Sequence, residues 1–125
     1  MIDDLVDEKV LRTLGDGEYA ERLRLLEQEM AALPAADTTV AQLCSWCTDH
    51  GDWNVRRLSV EALAARFADD PAARSALCAA THDDIDWVAF TAIKVVGAHR
   101  ITEARPRPDT DLRLAEQLQP PGSRT

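Results

Sequence analysis

Cysteine is the residue type in this chain whose spacing comes closest to chemistry. Cys44-Ser-Trp-Cys47 is a C-x-x-C pair. Redox work by such a pair needs a depressed thiol pKa, as at the start of a helix that follows a strand. Here the pair lies late in an amphipathic helical stretch with no strand pattern before it. Cys44 also recurs as Cys78, thirty-four residues on, at an equivalent place on a second apolar stripe. Recurrence of that kind marks a packing position, so Cys44 and Cys78 are expected to be buried, reduced and metal-free. The alternative is zinc: Cys44 and Cys47 from one helix, Cys78 and His82 from the next, would supply four ligands for a tetrahedral ion. Against it, the spacing matches no compact zinc motif, and adjacent helix axes lie about 8–10 Å apart. No cofactor is expected.

Other chemistry finds less support. Ser45, Ser59 and Ser75 have no motif around them. His50 and His82 read as turn residues, and His99 as a residue near a helix end. Asp69-Asp70 and Asp83-Asp84 read as caps and turns, not as a general acid/base pair. No glycine-rich phosphate loop is present. The formal net charge of −8 opposes nucleic-acid binding, which draws its affinity from Lys and Arg at phosphates, and accommodates a basic protein partner. No apolar run is long enough to span a bilayer. The start Met1-Ile2-Asp3-Asp4 is acidic where a secretory signal would be basic and then apolar, which gives a cytoplasmic expectation.

The elements that must position these residues are helical. Hydrophobic residues make up 46% of the chain and aromatics only 5%, a composition rich in Ala, Leu and Val that suits helices packed closely on helices. Helical spacing of Leu5, Val6, Val10, Leu11 and Leu14 predicts a helix over 3–14. Tyr19, Leu23, Leu26, Met30 and Leu33 predict another over 18–33. A third starts near Asp37 or Thr38, either of which can cap it, with Val40, Leu43, Cys44 and Cys47 inward. A fourth covers 53–68 with Val55, Leu58, Ser59, Ala62 and Leu63 inward. Asp70-Pro71 opens a fifth, with Ala73, Ala76, Leu77 and Ala80 inward. The sixth covers 86–99 with Val88, Ala92, Val95 and Val96 inward. Residues 102–125 contain Pro106, Pro108, Pro120 and Pro121 and are read as a mobile tail with one loose helix around Leu112, Leu114 and Leu118.

An internal repeat is the most specific signal. Residues 43–53 and 77–87 both fit L-C-x4-D-x2-D-W, at an offset of 34. The following helices align at 33, so that Val55, Ser59, Ala62 and Leu63 fall on Val88, Ala92, Val95 and Val96. Asp49-x-x-Asp52-x-x-Val55-Arg56-x-x-Ser59-x-x-Ala62-Leu63 resembles the HEAT repeat family, and Val88-x-x-x-Ala92-x-x-Val95-Val96-Gly97 is a second copy with Ala89 in place of the family's Arg. The resemblance implies an all-α fold, a short α-solenoid of HEAT-like helix pairs. Its single domain would cover 1–101, with N-terminal capping helices in 3–33, repeat one in 38–68 and repeat two in 71–99. It also implies that Asp52 caps the second helix of its pair and that Arg56 pairs with turn acids.

The function expected of such a module is non-catalytic protein–protein interaction, as an adaptor or an inhibitor of a basic partner. Self-association remains open. The repeat alignment names the surface: Asn54 pairs with Trp87, Arg57 with Phe90 and Glu61 with Lys94, all expected to point away from the core. The alternative is a small HEAT-like enzyme acting on a nucleobase or small ligand, since Asp52-Trp53 and Asp86-Trp87 resemble the Trp and Asp pairing of HEAT-like DNA glycosylases. HEAT-like lyases acting on tetrapyrroles offer the same analogy with no motif to support it. A pocket joining Trp53 or Trp87 to a buried Asp would favour catalysis; exposed aromatics without a titrating pair would favour binding.

Overall fold

A computed structural model describes residues 2–101. The tail expected over 102–125 lies outside the described residues. Among those described there are seven helices and no strand: α1 (Ile2–Leu5), α2 (Glu8–Thr13), α3 (Asp16–Ala32), α4 (Asp37–Asp49), α5 (Trp53–Arg66), α6 (Pro71–Ala80) and α7 (Asp86–Ala98). No described helix is long and apolar enough to cross a membrane.

Aspartate caps set three of the seven described helix starts. Asp7 accepts from the Lys9 and Val10 backbone N–H groups, Asp52 from those of Asn54 and Val55, and Asp70 from those of Ala72 and Ala73. Each carboxylate satisfies N–H groups that have no partner inside the helix. Pro71 occupies the first turn of α6, where its missing N–H costs nothing. Two expectations fail at these ends. The helix expected over 3–14 is two helices, because Asp7 takes an extended backbone (φ −61°, ψ 115°) and caps a new one. Neither Asp37 nor Thr38 caps α4. Ala36 holds the capping position without a side-chain bond, leaving Asp37 in the first turn where its charge meets the helix dipole.

At its C-terminus α7 closes differently. Arg100 has φ 52°, the left-handed region. Its N–H donates to Gly97 O at 3.2 Å, the Ile101 N–H donates to Val96 O at 3.0 Å, and Ile101 turns back into the core. This pair of bonds is a Schellman closure, built on a residue other than glycine.

The helices pack as two hairpins in sequence, α4 with α5 and α6 with α7, and the hairpins meet through contacts of α4 with α6 and of α5 with α7. Helix α3 packs on α5 and carries α1. The core runs continuously through Leu26 and Met30 of α3, Leu43 and Cys47 of α4, Val55, Val60 and Leu63 of α5, Leu77 of α6 and Val88 and Ala92 of α7. The two first helices start thirty-four residues apart and the two second helices thirty-three apart, matching the slip in the repeat. The slip has a structural origin: α6 stops after ten residues where α4 has thirteen, and a longer turn follows it.

Small residues do the close packing expected of them. Ser59 is fully buried and returns its hydroxyl to Val55 O at 2.8 Å, so it packs as a small apolar residue. Val60 and Ala64, which the inner stripe of α5 did not include, are buried as well. Helix α5 is therefore enclosed on nearly every side, by α3, α4, α6 and α7.

Candidate functional site

Two polar networks fix the turn side of the repeats. In the first, the Arg56 guanidinium donates from Nε to Asp83 Oδ2 at 2.8 Å and from Nη2 to Asp83 Oδ1 at 3.1 Å. Its Nη1 donates to His50 O at 2.7 Å. Asp83 Oδ1 also accepts from the Ile85 N–H. Arg56 thus ties the turn of its own hairpin to the turn of the next, pairing with a turn acid as the resemblance implied. The pair is largely dry, with side-chain exposures of 14% and 9%.

The second network centres on Asp52. Besides capping α5, its carboxylate accepts from the Tyr19 hydroxyl at 2.8 and 2.9 Å. The Asn54 amide donates to Tyr19 Oη at 3.0 Å, and Arg57 bridges Asn54 Oδ1 to Glu61. Desolvation raises the Tyr19 phenol above its ordinary pKa, and the neighbouring Asp52 carboxylate adds to the effect. Next to it, His50 accepts the Asp52 backbone N–H at Nδ1 and faces Val6 O through Nε2 at 2.6 Å. Those contacts select the tautomer with its proton on Nε2. A cleft of about 190 Å³ does bring Trp53 beside Asp52. The Asp52 carboxylate, however, is committed to Tyr19 and to two backbone N–H groups, so it holds structure there and is not offered to a substrate.

The cysteines sit differently from the expectation. Cys47 is the fully buried one, while Cys44 and Cys78 are half-buried. Cys44 lies one turn before Cys47, at the rim of the α4–α6 contact; the expectation had placed both on the inner face. Cys44 Sγ donates to Ala72 O at 3.5 Å and Cys47 Sγ to Ala76 O at 3.8 Å, both on α6. Burial pushes the Cys47 thiol up to about 12 and also raises Cys44. Thiols so placed are poor nucleophiles. His82 is exposed, and no group of three or more His, Cys, Asp or Glu that could hold a metal is assembled among the described residues, so Cys44, Cys47, Cys78 and His82 are not brought together as a zinc set.

The six expected surface residues divide by helix. On α7, Trp87 is 63% exposed, Phe90 64%, and Lys94 is also exposed. On α5, Asn54 is buried and Arg57 and Glu61 are half-buried and joined to each other. The expectation that Asn54 points away from the core is corrected: Tyr19, thirty-five residues earlier in the chain, lies against it. The repeat alignment carried no sign of that contact, because α3 is not part of the repeat. Ile93 is 52% exposed and joins the α7 row. At the same offset of 33, Ile93 and Gly97 match Val60 and Ala64, which are buried on α5, so the alignment by itself points to burial and gives no sign of this exposure.

Helix α7 therefore presents one continuous face of Asp86, Trp87, Phe90, Ile93, Lys94 and Gly97, all exposed. Spacings of three and four place these residues side by side over about 16 Å of helix. A separate apolar groove of about 220 Å³ lies between α3 and α5, with Met30, Leu58 and Ala62 in its walls and Glu27, Glu61 and Arg66 at its edge. Arg66 is occupied there, donating to Met30 O and Leu33 O at the end of α3. No family model, no curated protein and no solved structure matches the chain.

Proposed function

We propose that the chain is a protein-interaction module, a short HEAT-like solenoid whose docking surface is the outer face of α7. One observation carries this reading. The residues of α7 that match the buried Val60 and Ala64 of α5 are exposed, and they adjoin two aromatic rings that are each more than 60% exposed. On α5 that side of the helix is closed by packing; on α7, the last described helix, it stands open. Repeat arrays need their end faces covered or made polar. Among the described residues nothing covers this end face, and its Trp, Phe and Ile give it the composition of an interface hot spot. Catalysis is the weaker reading, since the Asp beside Trp53 is spent on a cap and a phenol.

Affinity capture on the immobilised full chain, followed by calorimetry with the protein recovered, tests the proposal. Trp87→Ala together with Phe90→Ala should weaken binding by at least ~2 kcal/mol. The same pair should change thermal stability little, because both rings are mostly in water. Unchanged affinity with a large loss of melting temperature would place the rings in the core and end the proposal.

A further inference from the structure

The exposed row of α7 reads the same way from both ends in its chemistry. An acid, Asp86, stands at one end; Trp87, Phe90 and Ile93 follow; a base, Lys94, closes it. Asp86 and Lys94 lie four residues before and four after Phe90, and Trp87 and Ile93 lie three before and three after. Asp86, Phe90 and Lys94 form one i, i+4 ridge, with Trp87 and Ile93 flanking Phe90 on opposite sides. A two-fold interface requires a patch that is complementary to itself, in which residue i meets j and j meets i. We propose that this face binds a second copy of the chain, the two α7 helices packing antiparallel about a two-fold axis at Phe90. This rests on α7 being the docking surface and names its partner.

In that arrangement the two i, i+4 ridges run alongside each other, so that Phe90 meets Phe90 and Asp86 meets Lys94 twice, with Trp87 and Ile93 closing the two flanks of the contact. Neither Asp86 nor Lys94 has an ion-pair partner among the described residues, so both are available. Aligned the other way, parallel, the same row would set Asp86 against Asp86 and Lys94 against Lys94. Charge therefore selects the antiparallel form. The helix is short and each chain carries a net charge of −8, so the dimer is a weak one, with Kd on the order of 1–100 µM.

Sedimentation equilibrium of the full chain, near 0.15 M salt to screen the net charge, reads this directly. Wild type should pass from monomer to dimer across that concentration range, and Phe90→Asp should remain monomeric. Asp86→Lys and Lys94→Asp should each weaken the dimer by about tenfold or more, since each turns two attractive contacts into repulsive ones. An equimolar mixture of those two variants should associate again, because each supplies the charge the other lacks. The double variant Asp86→Lys/Lys94→Asp should self-associate like wild type. Circular dichroism of every variant confirms that it is folded. A wild type that is monomeric at ~200 µM, well above the expected Kd, overturns the proposal. So does a dimer indifferent to Phe90→Asp, or a mixture of the charge variants that fails to associate. If wild type is monomeric while Trp87→Ala/Phe90→Ala loses a captured partner of another kind, the docking surface stands and only the second copy is refuted.

Discussion

Arg56→Met removes a guanidinium and keeps most of the aliphatic stem, so its effect isolates the bridge between the two hairpin turns. The substitution deletes two bonds to Asp83 and one to His50 O. Asp83, 9% exposed, loses both guanidinium donors and retains the bond from the Ile85 N–H. Breaking a buried ion pair from one side costs about 3–5 kcal/mol, whereas an exposed pair is worth about 0–1. Arg56 retains 14% exposure, so some water reaches Asp83 once the arginine is gone. The expected loss is about 2–4 kcal/mol, between the exposed and the fully buried cases. For a domain of about 100 residues that is roughly 10–25 °C in melting temperature. Urea denaturation followed by circular dichroism measures it. Asp83→Asn, alone and combined with Arg56→Met, completes a double-mutant cycle, in which the pair should show a coupling of about 1.5–3 kcal/mol. A loss below ~1 kcal/mol that adds simply to that of Asp83→Asn would refute the view that this bridge joins the two hairpins.

Two other substitutions test separate features. Burial raises the Cys47 thiol from 9.0 to about 12, so folding favours its protonated form. Its contribution to stability is complete below about pH 9 and declines as pH climbs toward 12, by up to about 1.4 kcal/mol per pH unit. Cys47→Ala should flatten the stability profile between pH 9 and 10, below the ordinary Tyr19 value of 10.0; an unchanged slope would show that the thiol titrates normally. Arg100→Gly should stabilise the fold by about 0.5–1 kcal/mol, because glycine adopts the left-handed closure of α7 without a Cβ clash. A destabilised Arg100→Gly variant would mean that the arginine side chain makes a contact worth more than the strain.

Helical periodicity sufficed to locate α3 through α7 to within a few residues, and the offsets of 34 and 33 anticipated the unequal hairpins. It failed where a polar residue acted against its neighbours' pattern. Asp7 sits inside an apolar repeat that reads as unbroken, and only its extended backbone reveals the cap. The inner stripe of α5 was read too narrowly. An amphipathic pattern assumes one wet face, and a helix enclosed by four others has almost none, so Val60 and Ala64 fell outside it. The site was legible only where it stayed within one helix. Trp87, Phe90 and Lys94 were correctly expected to be exposed, whereas Asn54 depends on Tyr19 and no local pattern encodes that meeting. Cys44 and Cys78 share a repeat position, as the sequence implied, but a shared position is not a shared depth: the rim of a helix contact recurs as faithfully as its centre.

The enclosure of α5 also bears on how the molecule comes apart. Stacked repeats commonly fray, because each unit touches only the next and the terminal one can open alone. Here α5 is shared: α3, α4, α6 and α7 all pack on it. Pulling α3 away uncovers Asn54, whose amide reaches Tyr19, and pulling α7 away removes another of the helices that enclose α5. Any opening that exposes α5 therefore breaks contacts with several helices at once. The backbone amides in the middle of α5 are thus placed to exchange with solvent hydrogen only when the whole domain opens, while those of α1 exchange through local fraying.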